Sequence, residues 1–346
     1  MAARQGNPAT VTLADVARRA GVSPATASRV INGSSKPVNE DLRVRVLRAV
    51  ADLRYVPNVH AQNLARSQRS AVGVIVHDVS DPYFAELTRG LQRVATARDQ
   101  LLVICNSYRD PERELAYVEL LRAQQVNALV LAGSGYHDAA FTNDLNARLR
   151  AYVEGGGRVS VIGRHKLVGS AVLPANEAGA HLLGDALYGL GHHRIGVIAG
   201  PRVLTTTSDR LAGLRRAARD HGRSMPARRI RYADFTRDGG AAAAADLLDA
   251  EPSLTAVVAL NDAMAVGALA TLRQRGVRVP EDLSVVGFDD MPVARDVWPA
   301  LTTIRLPLVE MGERAMTLAL DDEGKTTVEM APASLVWRDS CGPPRS

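Results

Sequence analysis

The chain has 346 residues, 46% of them hydrophobic, 23% charged and 4% aromatic, a composition that excludes both a disordered polymer and a fold built on one small core. No run of eighteen apolar residues occurs, which excludes a membrane-spanning helix, and the opening Met1–Pro8 stretch is followed by no apolar segment, so the expected compartment is the cytoplasm, with no membrane partner. The net charge of +5 is unevenly placed: residues 1–70 hold eleven Lys or Arg against four Asp or Glu, and the remainder is close to neutral, the pattern of a small polyanion-binding head on a neutral body.

The first periodic segment starts at Thr12, a good helix cap, with Asp15 three residues on as its acidic partner. Leu13, Val16, Ala17 and Ala20 share one face, and Gly21 follows where a helix ends in positive φ. Ser23 caps a second short helix with Pro24 at its first position, and Ala27, Val30 and Ile31 form its buried side. Helix, glycine turn, helix is the arrangement that lays its second helix in the DNA major groove. Pro24, Ala25, Ser28 and Arg29 face outward; Arg29 suits a bidentate contact to guanine, and Pro24 and Ala25 an apolar contact to a thymine methyl. Ser23, Thr26 and Ser28 are short hydroxyls suited to phosphate. Asn39 caps a third helix, expected to turn Leu42, Val46, Leu47, Val50 and Leu53 inward and to leave Arg43, Arg45 and Arg48 for solvent or phosphate.

The run Thr12-Leu-x-Asp-Val-Ala-x-x-Ala-Gly-Val-Ser-x-x-Thr-x-Ser-x-Val-x-Asn32, with Tyr55-Val-Pro-Asn58 and Ala61-x-x-Leu64 after it, resembles the signature of the lactose-repressor (LacI) family of transcriptional regulators. The resemblance implies operator contacts from Thr12, Ser23, Pro24, Ala25, Thr26, Ser28, Arg29 and Asn32. It makes Asn58, Ala61 and Leu64 part of a hinge helix whose leucine wedges into the minor groove, a contact that kinks a base step. It also implies a homodimer on palindromic double-stranded DNA. Proline and alanine at the first two reading positions, and Leu42 where a threonine is common, depart from the usual pattern and leave the operator sequence open.

Residues 57–70 read as a polar linker with one marginal helical turn. From Ala71 onward short apolar runs alternate with helix-length segments. Strands are expected at Val72–Val76, Leu101–Cys105, Ala128–Leu131, Val159–Ile162, Ile195–Ile198, Ala256–Leu260 and Leu283–Gly287. Helices are expected at Tyr83–Arg98, Pro111–Gln124, Asn176–Leu190, Asp209–Asp220, Gly239–Ala250, Ala263–Arg275 and Leu308–Leu320. This alternation predicts two doubly wound lobes of parallel sheet, with a ligand between them at the strand carboxyl ends. The expected organisation is an all-α helix-turn-helix head over 11–56, a hinge over 57–70 and an α/β two-lobed body over 71–340.

The body resembles the same family and its periplasmic sugar-binding relatives through Asp81-Pro-Tyr-Phe84, Gly191-His-His-Arg-Ile-Gly196, Arg210-Leu-Ala-Gly213, Asn261-Asp-x-Met-Ala-x-Gly267, Ser284-Val-Val-Gly-Phe-Asp-Asp290 and Pro299-x-Leu-Thr-Thr-Ile304. The resemblance implies three crossings between lobes, one lobe of about 71–172 plus 302–322 and another of about 173–300 plus 323–340. It places ligand contacts at Tyr83, Phe84, Thr206, Ser208, Arg210, Phe235, Asn261 and Asp289, for a sugar-like effector. Ser208 stands where the lactose repressor carries an arginine, which argues against assuming a galactoside. Dimerisation is expected through helices of both lobes.

Other motifs point nowhere. Cys105 and Cys341 lack metal or redox spacing, and His192-His193 has no acidic or thiol neighbour at ligand spacing. Gly133-Ser-Gly135 lacks the rest of a dinucleotide loop, and Asp289-Asp290 on one strand faces opposite ways. No catalytic residue, metal or cofactor is expected. A sugar-binding protein without DNA regulation and a sugar- or nucleoside-modifying enzyme on a similar two-lobed scaffold are the competing readings.

Overall fold

The computed structural model describes residues 11–31, 38–56, 71–321 and 325–345. The chain divides into two compact units, Met1–Arg69 and Ser70–Ser346.

The first unit holds three helices: α1 (Leu13–Ala20), α2 (Pro24–Ile31) and α3 (Glu40–Asp52). Local chemistry sets their ends. The Thr12 hydroxyl accepts from the Asp15 backbone N–H while Asp15 reaches back to the Thr12 N–H, a complete capping box. Those bonds hold the Asp15 carboxyl below its usual range. Gly21 stops α1 in the left-handed region at φ +63°, Ser23 Oγ accepts the Thr26 N–H at 3.1 Å, and Asn39 accepts the Asp41 N–H at 2.8 Å. Val16, Ala17, Ala20, Ala27, Val46 and Ala49 form the core. Two expectations for α3 are corrected. Leu47 is 49% exposed, because the buried stripe runs through Val46, Ala49 and Val50, and a core of small side chains admits an alanine there. Arg45 is not left for phosphate: its Nη2 donates to the Ala20 and Gly21 carbonyls at the end of α1.

The second unit carries two six-stranded sheets. The first, in the order β11-β5-β4-β3-β1-β2, is parallel throughout. Its strands are β1 (Ala71–Val76), β2 (Leu101–Asn106), β3 (Ala128–Ala132), β4 (Arg158–Ile162), β5 (Ser170–Pro174) and β11 (Val328–Ala331). Helices α4 (Pro82–Ala97), α5 (Pro111–Ala123), α6 (Ala139–Glu154) and α12 (Leu308–Leu320) belong to this lobe. The second sheet, β12-β10-β9-β8-β6-β7, is parallel except for β12. It comprises β6 (Ile195–Ala199), β7 (Ile230–Tyr232), β8 (Ala256–Ala259), β9 (Ser284–Asp289), β10 (Thr302–Arg305) and β12 (Ser334–Val336). Helices α7 (Asn176–Gly189), α8 (Thr205–Asp220), α9 (Arg237–Ala250), α10 (Asp262–Gln274) and the short α11 (Val293–Asp296) belong with it. The near-continuous burial of β3, β6, β8 and β9 is what a parallel sheet covered on both faces demands.

The chain crosses between lobes after β5, after β10 and after β11, and the expected lobe boundaries are corrected accordingly. Thr302–Arg305 does not open the first lobe's last segment, because it pairs in parallel with β9, Thr303 opposite Gly287. Val328–Ala331 does not join the second lobe, because it pairs with β5. Of the expected segment 302–322, only α12 belongs to the first lobe. It lies so close to α4 that a Cβ on Gly90 would stand 2.0 Å from the Val309 carbonyl oxygen, and one on Gly312 2.1 Å from that of Leu87.

Candidate DNA-binding and ligand-binding sites

On the head, Pro24, Ala25 and Arg29 of α2 are exposed and Thr26 and Ser28 half-buried. Among the described residues Arg29 has no carboxylate within 4.0 Å, unlike Arg18 and Arg19, which pair with Asp15 and Asp52. The Ser23 and Thr26 hydroxyls are 2.8 Å apart and bonded to each other, and the Thr12 hydroxyl donates to Asp15. These three hydroxyls therefore set the helix starts as well as facing outward. Asn32, Asn58, Ala61 and Leu64 lie outside the described residues.

In the body a cavity opens between the lobes, enclosing about 440 Å³ of atom-free space partly open to solvent. It is lined at the carboxyl ends of strands from both sheets. The first lobe supplies His77 after β1, Asp81, Tyr83 and Phe84 at the start of α4, Arg109 after β2, and Gly133 and Ser134 after β3. The second supplies Leu204, Thr206 and Arg210, then Phe235 after β7, Asn261 after β8 and Asp289 at the end of β9. This is where an open α/β sheet leaves room for a ligand, since helices begin and strands end there.

A buried ion pair organises the second-lobe wall. Arg210 Nη2 donates to Asp289 Oδ1 at 2.7 Å, with both side chains 3% exposed. Its Nε donates to Asn176 at 2.9 Å, Nη1 donates to the Leu260 carbonyl, and the guanidinium lies 3.8 Å above the Phe288 ring centre. Burial lifts the Asp289 carboxyl to about 6, against the downward pull of Arg210. Asp289 sits at φ +111° and Asp290 at φ +57°. Asp290 turns away to pair with Arg305 and Arg338. The fully buried Asp262 accepts the Met291 N–H at 2.7 Å and the Thr303 hydroxyl at 2.6 Å, pinning this strained turn. Asn261 caps α10 through Met264 N–H at 2.9 Å.

The first-lobe wall is aromatic. Tyr83 and Phe84 meet edge to face with centres 5.0 Å apart. His77 stacks between Phe84 at 5.5 Å and Tyr136 at 6.0 Å. Burial, and secondarily the charge of Arg109, holds the His77 imidazole down to about 3, so the ring is neutral. Aromatic faces beside hydroxyl, amide and carboxylate groups suit a polar ring-shaped molecule.

Beside the cavity the first turn of α8 stitches the lobes together. The Thr205 N–H donates to the Gly135 carbonyl at 2.9 Å and the His137 N–H to that of Val203 at 2.7 Å. Ser134 Oγ accepts the Thr206 N–H at 3.0 Å, and Arg164 grips Asp209 with both arms.

Residues 12–58 match bacterial regulatory proteins of the lacI family, and residues 185–341 match the periplasmic binding protein-like domain. Over 319 residues the chain is 37% identical to the HTH-type transcriptional regulator GalS of Salmonella typhimurium, covering 91% of each protein. The chain belongs to the lacI family. The lac repressor dimer bound to operator and the anti-inducer ONPF superposes with a TM-score of 0.83 at 28% identity, covering 95% of this chain and 98% of that one. The transcriptional regulator CelR in complex with cellobiose gives 0.70 at 31% identity, covering 96% and 100%. The chain is a helix-turn-helix transcriptional regulator and not an enzyme.

For this LacI-family regulator, the structure brings Tyr83, Phe84, Thr206, Arg210, Phe235, Asn261 and Asp289 to one cavity. Ser208 is not among its lining residues. Helix α8 begins at Thr205 rather than at Asp209, so Ser208 falls in the first turn, where its hydroxyl donates to the Thr205 carbonyl at 2.8 Å and bonds His137 Nε2 at 3.0 Å. Sequence reasoning passed over His77, Asp81, Arg109 and Ser134. The signal was present: His77 directly follows the apolar run of β1, and Ser134 stands two residues after β3.

Proposed function

We propose that this regulator binds a palindromic operator as a homodimer, represses from it, and is released by a sugar or sugar-like effector held in the interlobe cavity. The base-reading residues are Pro24, Ala25 and Arg29. The effector contacts are Tyr83, Phe84, Thr206, Phe235, Asn261 and Asp289, with Arg210 orienting Asp289. The observation that carries this reading is the cavity's position. Its walls come from both lobes, so a ligand inside it contacts both and favours one lobe arrangement over another, which is the differential affinity a switch requires. The relative CelR binds cellobiose, and the cavity's mix of aromatic faces and hydroxyl-bonding groups fits the same chemistry. Such a protein works beside the chromosome, in the cytoplasm.

Two exposed apolar surfaces support the homodimer. Edge strand β2 presents Leu101, Val103 and Ile104, with Leu120 of α5, and on the second lobe Trp298 is 87% exposed. An uncovered edge strand with apolar side chains is a surface proteins ordinarily pair. The dimer face proposed for the first lobe is therefore a strand edge as well as a helix.

The test is a thermal-shift screen of neutral sugars, sugar acids and nucleosides on the full chain, followed by a gel shift on a palindromic fragment from beside its own gene. A stabilising compound is expected to release that fragment. Retardation that is absent even at low salt would dismiss the DNA-regulator reading, and a stabilising compound without effect on retardation would dismiss the coupling.

A further inference from the structure

We propose that the effector carries an anionic group, a phosphate or a carboxylate, and that Arg109 is the residue that selects it. The inference rests on reading the interlobe cavity as the effector site and names the class of molecule it takes.

The cavity's charges are unequal in availability. Arg210 and Asp289 neutralise each other, and all three Arg210 nitrogens are engaged. Asp81 caps α4 through the Tyr83 N–H at 3.0 Å, and burial raises its carboxyl above the usual range. Arg109 is different. Among the described residues it has no carboxylate within 4.0 Å and donates no hydrogen bond; it stands 5.8 Å from the Phe235 ring centre on the other lobe, and its charge acts on His77 and Asp81. A guanidinium lining a cavity, with no protein hydrogen bond among the described residues, is complementary to a group that offers several acceptor oxygens and a negative charge.

The position of this cation is built rather than incidental. Tyr108 and Arg109 occupy consecutive left-handed backbone conformations, φ +53° and +60°. Non-glycine residues adopt these rarely, and strain of this kind gathers at ligand sites. The turn is held by Ser107 N–H to the Val76 carbonyl at 2.9 Å and Tyr108 N–H to the His77 carbonyl at 2.7 Å. A second orphan lies in the same wall: His77 Nδ1 is buried with no hydrogen-bond partner. A neutral imidazole beside this guanidinium gives an anion a donor and a cation together; Asp81 in the same wall feels the charge of Arg109, but among the described residues no carboxylate pairs with it.

The experiment uses the full chain and four probes: inorganic phosphate at matched ionic strength, glucose, glucose 6-phosphate and glucuronate. Melting of the body is read for wild type, Arg109→Gln and Arg109→Lys. Phosphate and at least one anionic sugar are expected to raise the wild-type midpoint more than glucose does. Arg109→Gln is expected to weaken the anionic probe about tenfold to a hundredfold, the range for loss of a charged hydrogen bond, and to leave glucose within twofold. Arg109→Lys, which keeps the charge and the stem, retains part of the shift and separates lost recognition from lost folding. Glucose shifting the protein with no gain from either anion, or equal shifts in Arg109→Gln, overturns the anion proposal while the effector site stands. No shift by any probe overturns the anion proposal and leaves the effector site to the wider screen of sugars and nucleosides.

Discussion

Replacing Gly21 by alanine tests whether the head's geometry rests on one left-handed residue. Gly21 sits at φ +63°, and a Cβ there would stand 2.5 Å from Arg45 Nη2. The backbone term costs an L-residue about 1–2 kcal/mol. The Cβ also pushes Arg45 off the Ala20 and Gly21 carbonyls, which it meets at 2.5 and 3.1 Å. A bond from a charged donor contributes about 1.5–3 kcal/mol when buried and well under that at an exposed guanidinium. The total is about 2–3 kcal/mol. A domain this small rarely holds more than about 3–5 kcal/mol, so Gly21→Ala unfolds a measurable fraction of heads. Operator affinity falls with the folded fraction: at the extreme, half the heads stay folded, a loss of about twofold per head or about fourfold for two heads at 25 °C, and more on warming. Gly21→Asn is the control, because asparagine tolerates the left-handed region while carrying the same Cβ. Far-UV circular dichroism of the helical head and a gel shift at two temperatures measure both effects. Equal head stability in wild type and Gly21→Ala would refute the reasoning, and equal losses in the alanine and asparagine variants would assign the whole cost to Arg45.

Arg29→Ala is expected to weaken specific operator binding by about 1–3 kcal/mol with a smaller loss on random DNA; equal losses, measured by gel shift on both, would make Arg29 a phosphate contact only. Asp289→Ala is expected to abolish the effector's thermal shift and its release of DNA while retardation without effector persists. Since burial holds the Asp289 carboxyl near 6 and a ligand hydroxyl bonds best to the ionised form, effector affinity is expected to rise as pH increases through about 6. Calorimetric titration across that window checks the sign, and Asp289→Asn flattens the profile. Trp298→Glu is expected to shift the chain toward monomer in sedimentation at micromolar concentration and to weaken operator binding with it; an unchanged sedimentation coefficient removes Trp298 from the dimer face.

The head was legible almost to the residue because its determinants are neighbours in sequence. A cap acts within three residues, so Thr12 with Asp15, Ser23 with Thr26 and Asn39 with Asp41 could be read without the fold. Leu47 could not, because its burial depends on how much room α1 leaves for α3. In the body the long apolar strands were visible, whereas β5, β7, β10, β11 and β12 and the helix α6 were not. These strands have only three to five residues each, and β11 pairs with β5 far back along the chain, which is also why the lobe boundaries were misdrawn. Of the cavity residues, Tyr83, Phe84, Asn261 and Asp289 were among those found, whereas His77, Asp81 and Ser134 were passed over beside strand ends or within a quoted motif, and Arg109 was missed because its position depends on a left-handed turn after β2 that no apolar period announces.

The misplaced Ser208 carries the most mechanism. Starting α8 one turn early, at Thr205, turns what reads as a ligand loop into the strut between the lobes. Thr206 faces the cavity while Thr205, Ser208 and Asp209 hold Gly135, His137 and Arg164 of the first lobe. The next turn carries Arg210, fastened to Asp289. One helical segment therefore joins the effector's expected contacts to the bonds that set the angle between lobes. A ligand that shifts Thr206 or Asp289 by a few tenths of an ångström must either strengthen those interlobe bonds or break them, because packed and hydrogen-bonded interfaces rearrange between discrete states rather than stretching. Weakening the strut without touching the cavity, as Asp209→Asn does at Arg164, should change how strongly the effector acts on operator binding more than how tightly the effector binds.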